Sequence, residues 1–214
     1  MRSITNKIAL MLILALTLSF SAITVASYYT AQSKTIELVI QNQRQILKDV
    51  KSTLNTFFDN NFQTIDKIAS TIDQLDEDRY GIDKTLVQGK AMANKEIALV
   101  YAGYDDGAMF RSNGKNQTPK DGYDPRQRGW YKLAKEKRGT TFSDPYMAAS
   151  LGEMVISFVA PIKNGVAATD VSIAELSKNI SSGSKTDYSY VFVVDKEGTI
   201  IIHPEKDLIN TKPD

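Results

Sequence analysis

From Ile8 to about Gln32 the chain carries no charge, and from about Tyr28 to Leu75 it carries neither proline nor glycine. These adjoining runs constrain the fold more than any other stretch. The first has an apolar centre, Ile8 to Leu16, followed by further Leu, Phe, Ile and Val up to Ala26. About 20 apolar residues rising 1.5 Å each match the hydrocarbon thickness of a bilayer. Arg2 and Lys7 precede the run, so the N-terminus is expected in the cytoplasm and the remainder beyond the membrane. A cleaved signal peptide is the competing reading, because Val25-Ala26-Ser27 offers small residues near a cut. A retained anchor is expected instead. The run is longer than a usual signal core, and a helical pattern leads straight out of it.

In the second run, apolar residues recur at Ile36, Val39, Ile40, Ile46, Leu47, Val50, Leu54, Phe57, Phe58, Phe62, Ile65, Ile68, Ile72 and Leu75. Steps of three and four dominate, which is the signature of an amphipathic helix. Its length suits a stalk. Gln43 and Asn61 interrupt the seam, which favours a helix laid against a sheet over a free-standing coiled coil. Asp76 to Gly89 is polar and is expected to be irregular, closing the helix.

The bulk properties exclude several classes. The chain of 214 residues has 26 Lys plus Arg against 25 Asp plus Glu. That balance implies no basic face for nucleic acid. There is no Cys, and His203 is the sole His. A zinc site, a Cys-His pair or a Ser-His pair has nothing to rest on. No metal, no cofactor and no enzymatic activity are expected.

Strand signals begin at Ile97. Ile97 to Tyr104 is apolar and aromatic, Asp105-Asp106-Gly107 forms a hairpin turn, and Ala108 to Ser112 returns. Asn113 to Tyr123 reads as a loop, Gly129 to Lys137 as a helix, and Thr141 to Ala149 as extended. Glu153 to Ile162 and Val166 to Ile173 form two strands joined at Lys163-Asn164-Gly165. A short helix, Ala174 to Ser181, precedes another hairpin, Tyr188 to Val194 against Thr199 to His203. This order predicts an α+β fold, a PAS-like antiparallel sheet with helices on one face.

Within that frame, Tyr123-Asp-Pro-Arg-Gln-Arg-Gly-Trp-Tyr131 concentrates the chemistry. Arg presents a planar fork of donors that suits a carboxylate. Trp and Tyr add flat apolar walls with a donor at the rim. Trp130 alone reads as core, Asp170 alone reads equally as a turn residue, and Arg126 reads as a solvated charge. Tyr101 and Tyr104 face either a pocket or solvent, and the pattern does not choose.

Taken together, the spacing resembles the double Cache sensor domain of bacterial chemoreceptors and of related sensor kinases and cyclases. The amino-acid-binding members carry a Tyr, an Arg five residues on, and Trp-Tyr two residues after the Arg. Tyr123, Arg128, Trp130 and Tyr131 match those places. A later family Tyr matches Tyr146, and a strand-end Asp matches Asp170 in Thr169-Asp170. The resemblance covers about residues 1 to 205. It implies a cytoplasmic stub (1–7), a transmembrane helix (8–27), a stalk helix (28–75) and a membrane-distal ligand-binding module (76–182). The start of a membrane-proximal module would occupy 183–214. It further implies a periplasmic sensor anchored in the inner membrane, a homodimer through the stalk, and a cytoplasmic signalling partner.

By that resemblance Arg128 and the Trp130 indole take the carboxylate of an amino acid, and Asp170 takes its ammonium. Tyr123, Tyr131 and Tyr146 supply hydroxyls and aromatic walls. The chain departs from the family at Ala148, where many members carry an acidic residue. The motif places no further charge in the pocket, so a small or apolar ligand side chain is expected, unless Arg126 turns inward to greet an acidic one. The alternatives are a sensor for a simple carboxylic acid or amine, and a membrane-anchored interaction protein with an inert pocket.

Overall fold

The computed structural model describes residues 2–75, 78–93, 95–184, 190, 192–203, 205–209 and 211–212. A single helix, α1, runs Arg2–Gln74. The chain divides into two units, Met1–Lys51 and Ser52–Asp214. In the first, the large apolar side chains are exposed, Leu10, Met11, Leu14 and Phe20 among them. By length and composition this part of α1 is apolar enough to cross a membrane.

The second unit holds the remainder of α1 and everything after it. Ile65, Ile68, Ala69 and Ile72 are buried, the spacing of one helical face. That face lies against a sheet built from β1 (Ile97–Tyr104), β2 (Met109–Arg111), β3 (Thr141–Phe142), β4 (Tyr146–Ala148), β5 (Glu153–Ile162) and β6 (Gly165–Ser172). The strand order is β2-β1-β6-β5-β3, with β4 also paired to β5. The pairings are antiparallel.

An aromatic cluster fastens the helix to the sheet. Phe57, Phe58 and Phe62 of α1 meet Phe158 of β5 with ring centres 6.0, 5.6 and 5.4 Å away. Phe142 closes the group against Phe58 at 4.9 Å. Asn61, within this seam, is buried and donates from its side chain to the Phe57 carbonyl. An Asn on the sheet-facing side is thus accommodated by the helix's own backbone.

The strands and helices expected at Ile97 to Tyr104, Gly129 to Lys137 and Glu153 to Ile162 are present, the second as α3 (Gly129–Lys137). Three expectations are corrected. Asp76 to Gly89 is not irregular throughout, because a second helix, α2, spans Arg79–Met92. Ile82 and Leu86, four apart, are buried on its inner face. A Cβ on Gly89 would stand 3.3 Å from Ile68 Cδ1, so glycine here permits close helix packing. Second, the helices do not all share one face: α1 and α2 cover one side of the sheet, while α3 packs Trp130, Tyr131 and Ala134 against Tyr101, Val159 and Ala168 on the other. A short amphipathic helix bears no sequence mark of which face it will choose. Third, the last hairpin is shorter than expected, with β7 (Val193–Val194) against β8 (Ile200–Ile202). The start of its first strand, 188–189 and 191, falls outside the described residues. A further helix, α4 (Ile173–Ser184), joins the sheet to this hairpin, and Ser177 Oγ donates to the His203 carbonyl.

Phe158 is fully buried at the centre of the aromatic cluster. Phe158→Ala should destabilise the second unit by about 3–5 kcal/mol, read by denaturant unfolding of the full chain in detergent micelles. A loss below about 1 kcal/mol would show that the cluster does not anchor α1 to the sheet.

Candidate functional site

Strand alternation sets the site. Leu99, Tyr101 and Gly103 of β1 pair with Asp170, Ala168 and Val166 of β6, and Asp170 and Ala168 pair in turn with Ser157 and Val159 of β5. Side chains one residue apart point to opposite faces, so Tyr101, Ser157 and Asp170 share the face that α3 covers. The neighbours Val100, Phe158 and Thr169 belong to the face under α1.

The segment Tyr123–Tyr131 lies over this face, and its conformation follows from local chemistry. Asp124 accepts from the Arg126 N–H and opens a short 3-10 turn, Pro125–Gln127. Arg128 N–H donates to the Pro125 carbonyl, and Arg128 takes extended dihedrals as the N-cap of α3. Its side chain leaves the backbone at the joint between two helical pieces. Trp130 follows in the first turn of α3 and meets Tyr101 edge-on, ring centres 4.9 Å apart. Gly103 makes the approach possible. A Cβ there would sit 2.6 Å from Pro125 Cβ and 2.9 Å from Trp130 Cη2.

Between the sheet and this segment lies a cavity of about 500 Å³, a size that suits a small ligand. Tyr123, Arg128, Trp130, Tyr146 and Asp170 line it. Five of the six residues singled out in the sequence therefore meet at one cavity. Tyr131 does not. Its hydroxyl donates to Asp105 Oδ1 at 2.5 Å, and Lys135 Nζ holds the same carboxylate at 2.8 Å. Tyr131 ties α3 to the β1–β2 turn, since consecutive residues on a helix point about 100° apart and Trp130 already faces the cavity. Arg126 is also turned away. Its Nε and Nη2 grip Asp124 at 2.9 and 2.8 Å, and Nη1 donates to the Asp105 carbonyl.

Asp170 is 2% exposed. Its Oδ1 accepts from Tyr101 Oη at 2.6 Å and from Ser157 Oγ at 2.6 Å, with Tyr146 Oη at 3.5 Å. Tyr146 and Ser157 also contact each other at 2.7 Å. These bonds converge on one oxygen of a carboxyl that also lines the cavity. Burial raises the Asp170 pKa to about 6, and the bonds from Ser157 and Tyr101 oppose that rise. Burial, and then the charge of Asp170, push Tyr101 well above the usual phenol value. Burial and Asp170 likewise raise Tyr146 to about 12. Both phenols are therefore hydrogen-bond donors across the physiological range.

Three contributors went unassigned in the sequence. Tyr101 faces the cavity and not solvent. Ser157 carries the second bond to Asp170. Arg111 lines the cavity from β2 and is 4% exposed. Its Cζ lies 4.6 Å from the centre of the Tyr123 ring, the same distance as Arg128 Cζ. The signal for Arg111 was the alternation in Met109-Phe-Arg111, which sends Met109 and Arg111 to one side. Ala148, at the place where an acidic residue was looked for, is buried and lines the cavity. Among the described residues no group of three His, Cys, Asp or Glu could hold a metal ion.

Comparison with known proteins bears on this arrangement. A family model, dCache_1, described as Cache domain, matches residues 31–213. The methyl-accepting chemotaxis protein PscA of Pseudomonas syringae pv. tomato is 29% identical over 210 residues, covering 96% of this chain and 33% of that protein. The chain thus spans about a third of the length of the curated relatives it matches. Among solved structures, the ligand-binding domain of the Pseudomonas aeruginosa amino-acid chemoreceptor PctC, in complex with GABA, is 26% identical. It aligns with a TM-score of 0.69 over 78% of this chain and 77% of that one. The ligand-binding domain of the Pseudomonas fluorescens chemoreceptor CtaA, in complex with L-serine, is also 26% identical, with a TM-score of 0.67 over 77% and 72%.

The buried carboxyl sets a pH dependence of known sign. Its pKa is raised from 3.8 when unfolded to about 6 when folded, so the native state retains a proton that the unfolded chain releases. The contribution of Asp170 to stability is full below about pH 4 and is lost as the pH rises through about 6. The decline amounts to roughly 3 kcal/mol. Unfolding of ligand-free wild type and Asp170→Asn should be compared at pH 4.5 and 7.5. The variant should gain stability relative to wild type at the higher pH, and parallel pH profiles would sink the assignment.

Proposed function

The chain belongs to the Cache-domain family, and from that footing we propose that it binds a free amino acid outside the cytoplasm and reports it for chemotaxis or other transmembrane signalling. The observation that carries this reading is the convergence of Arg128, Trp130 and Asp170 on one cavity. A zwitterion requires a cation for its carboxylate and an anion for its ammonium. Arg128 offers planar paired donors, and the Trp130 indole N–H adds another. Tyr101 and Ser157 bind Oδ1 of Asp170, which directs the other oxygen to the ammonium. Tyr123 and Tyr146 present aromatic walls, where an ammonium gains further attraction from the ring face.

The alternative of a simple carboxylic acid or amine has one observation in its favour. Asp170 stands without a second acid at Ala148, and its pKa of about 6 leaves it partly protonated in mildly acidic surroundings. An amino acid and a simple carboxylic acid separate on the amine. A zwitterion needs ionised Asp170, so its affinity rises with pH from 5 to 7, whereas a plain carboxylate gains nothing from that ionisation.

In the proposed setting, the apolar part of α1 spans the inner membrane and the unit Ser52–Asp214 stands in the periplasm. The receptor acts as a homodimer through α1, and a cytoplasmic signalling region or chain reads its state. The exposed apolar residues Ile36, Leu38, Val39, Ile40 and Leu47 support a second helix as partner along the stalk.

Calorimetric titration of the full chain in detergent micelles, with amino acids and their deaminated acids, tests the ligand class. The amino acid should bind more tightly than its deaminated counterpart. Arg128→Ala should weaken binding at least about 30-fold, the lower reach of losing one partner of a charge pair. Unchanged affinity in that variant would remove Arg128 from the site. Tighter binding of the deaminated acid would favour the simple-acid reading. Topology has its own check: protease added to spheroplasts should remove the second unit, and protection would place it in the cytoplasm.

A further inference from the structure

Arg111 has no part in the zwitterion scheme, yet it shares the cavity with the residues that do. It is among the buried polar residues of the protein, 4% exposed. Arginine is almost never so buried without a paired anion, because a desolvated, uncompensated charge costs several kcal/mol. Among the described residues no carboxylate forms a salt bridge with it; the charge of Asp170 acts on it only across the cavity, where Arg111 helps to lower the Asp170 pKa. Nη1 donates to the Lys115 carbonyl at 2.5 Å, and Nε is buried with no partner. The contact with Lys115 accounts for one of five donors. Stacking on Tyr123 at 4.6 Å does not supply the acceptor that the buried Nε lacks.

The charges around the cavity narrow what can answer this one. Four ionisable groups of full charge line it: Arg111, Arg128, Asp144 and Asp170. Arg128 and Asp144 are exposed and remain hydrated. Arg111 and Asp170 are the buried members. Arg111 and Arg128 each lie 4.6 Å from the centre of the Tyr123 ring, and both line the one cavity, open to a single small molecule. A neutral amino acid answers Arg128 and Asp170 and leaves Arg111 without an anion bonded to its guanidinium. A ligand with a second carboxylate answers all three.

We propose that Arg111 determines specificity by receiving a second carboxylate, so that the preferred ligand class is α-amino acids with an acidic side chain. This rests on the amino-acid reading of the same cavity. It replaces the small or apolar side chain expected from the motif alone, and the cation concerned is Arg111 on β2, not Arg126 in the motif. Tyr123 is the spacer between the cation for the α-carboxylate and the cation for the side chain.

Isosteric pairs test the idea without a mutation. The full chain in detergent micelles is titrated at pH 7.5 with L-glutamate, L-glutamine, L-aspartate and L-asparagine. At least one acid should bind tenfold or more tighter than its own amide. Arg111→Gln should bring that ratio close to one, and Arg111→Lys, which keeps the charge, should retain part of the preference. Thermal unfolding confirms that the variants fold, and the wild-type ratio stands even if one does not. Glutamine and asparagine both binding wild type as tightly as their acids would overturn the proposal and leave the amino-acid reading intact. So would an Arg111→Gln variant that loses acid and amide by the same factor, since Arg111 would then read the shared α-carboxylate. Failure of every amino acid to bind would instead overturn the reading of the cavity, and this inference with it.

Discussion

A carboxylate in the middle of a sheet is costly to bury unless hydrogen bonds replace its water, and the site is organised around meeting that condition for Asp170. The two short bonds come from strands on either side of β6, Tyr101 from β1 and Ser157 from β5. Each donor is therefore fixed by the register of the sheet, not by a mobile loop. A slip of one residue in either pairing would send that strand's donor to the other face. Gly165 helps to hold the β1–β6 pairing, since a Cβ there would fall 2.1 Å from the Gly103 carbonyl oxygen. Gly103 in turn admits Pro125 and Trp130. Two glycines in adjacent strands thus connect the sheet's register to the seating of the motif above it.

Much of this was legible in the sequence, and the reasons differ by element. β1, β5 and β6 announced themselves because long apolar strands bounded by turn residues have few other solutions. α3 was clear because its glycine start and its apolar positions agree. The motif's residues were found by type and spacing, which is why five of six reach the cavity. Tyr131 failed because adjacency in sequence is not adjacency on a helix. α2 was obscured by its polar composition and by Gly81, with only Ile82 and Leu86 to mark a buried face. Its helical state depends on packing against α1 and β1, which propensity does not report.

Tyr101, Ser157 and Arg111 were harder for a shared reason. Each is defined by which face of a strand it occupies, and a polar residue in an apolar strand looks alike on either face until the strand's neighbours are known. Tyr101 was recognised as ambiguous, and pairing with β6 resolves it. Arg111 sits in a strand of three residues, too short for alternation to be convincing alone. Asn61 is the converse case. It was noticed as an interruption of an apolar seam, and the interruption reflects the partner's identity, a sheet with an aromatic cluster instead of a second helix.

β6 has a property that neither of its faces reveals separately. Asp170 points into the cavity, while Thr169 and Val171 on either side of it point toward α1, and Thr169 pairs across the sheet with Phe158, the centre of the aromatic cluster. The cavity and the helix are thus separated by the thickness of one peptide chain. Any shift at Asp170 is also a shift of the peptide that carries Thr169, and a close-packed interior transmits such a shift and does not absorb it. The strand acts as a membrane in the mechanical sense, a thin partition whose two surfaces move together.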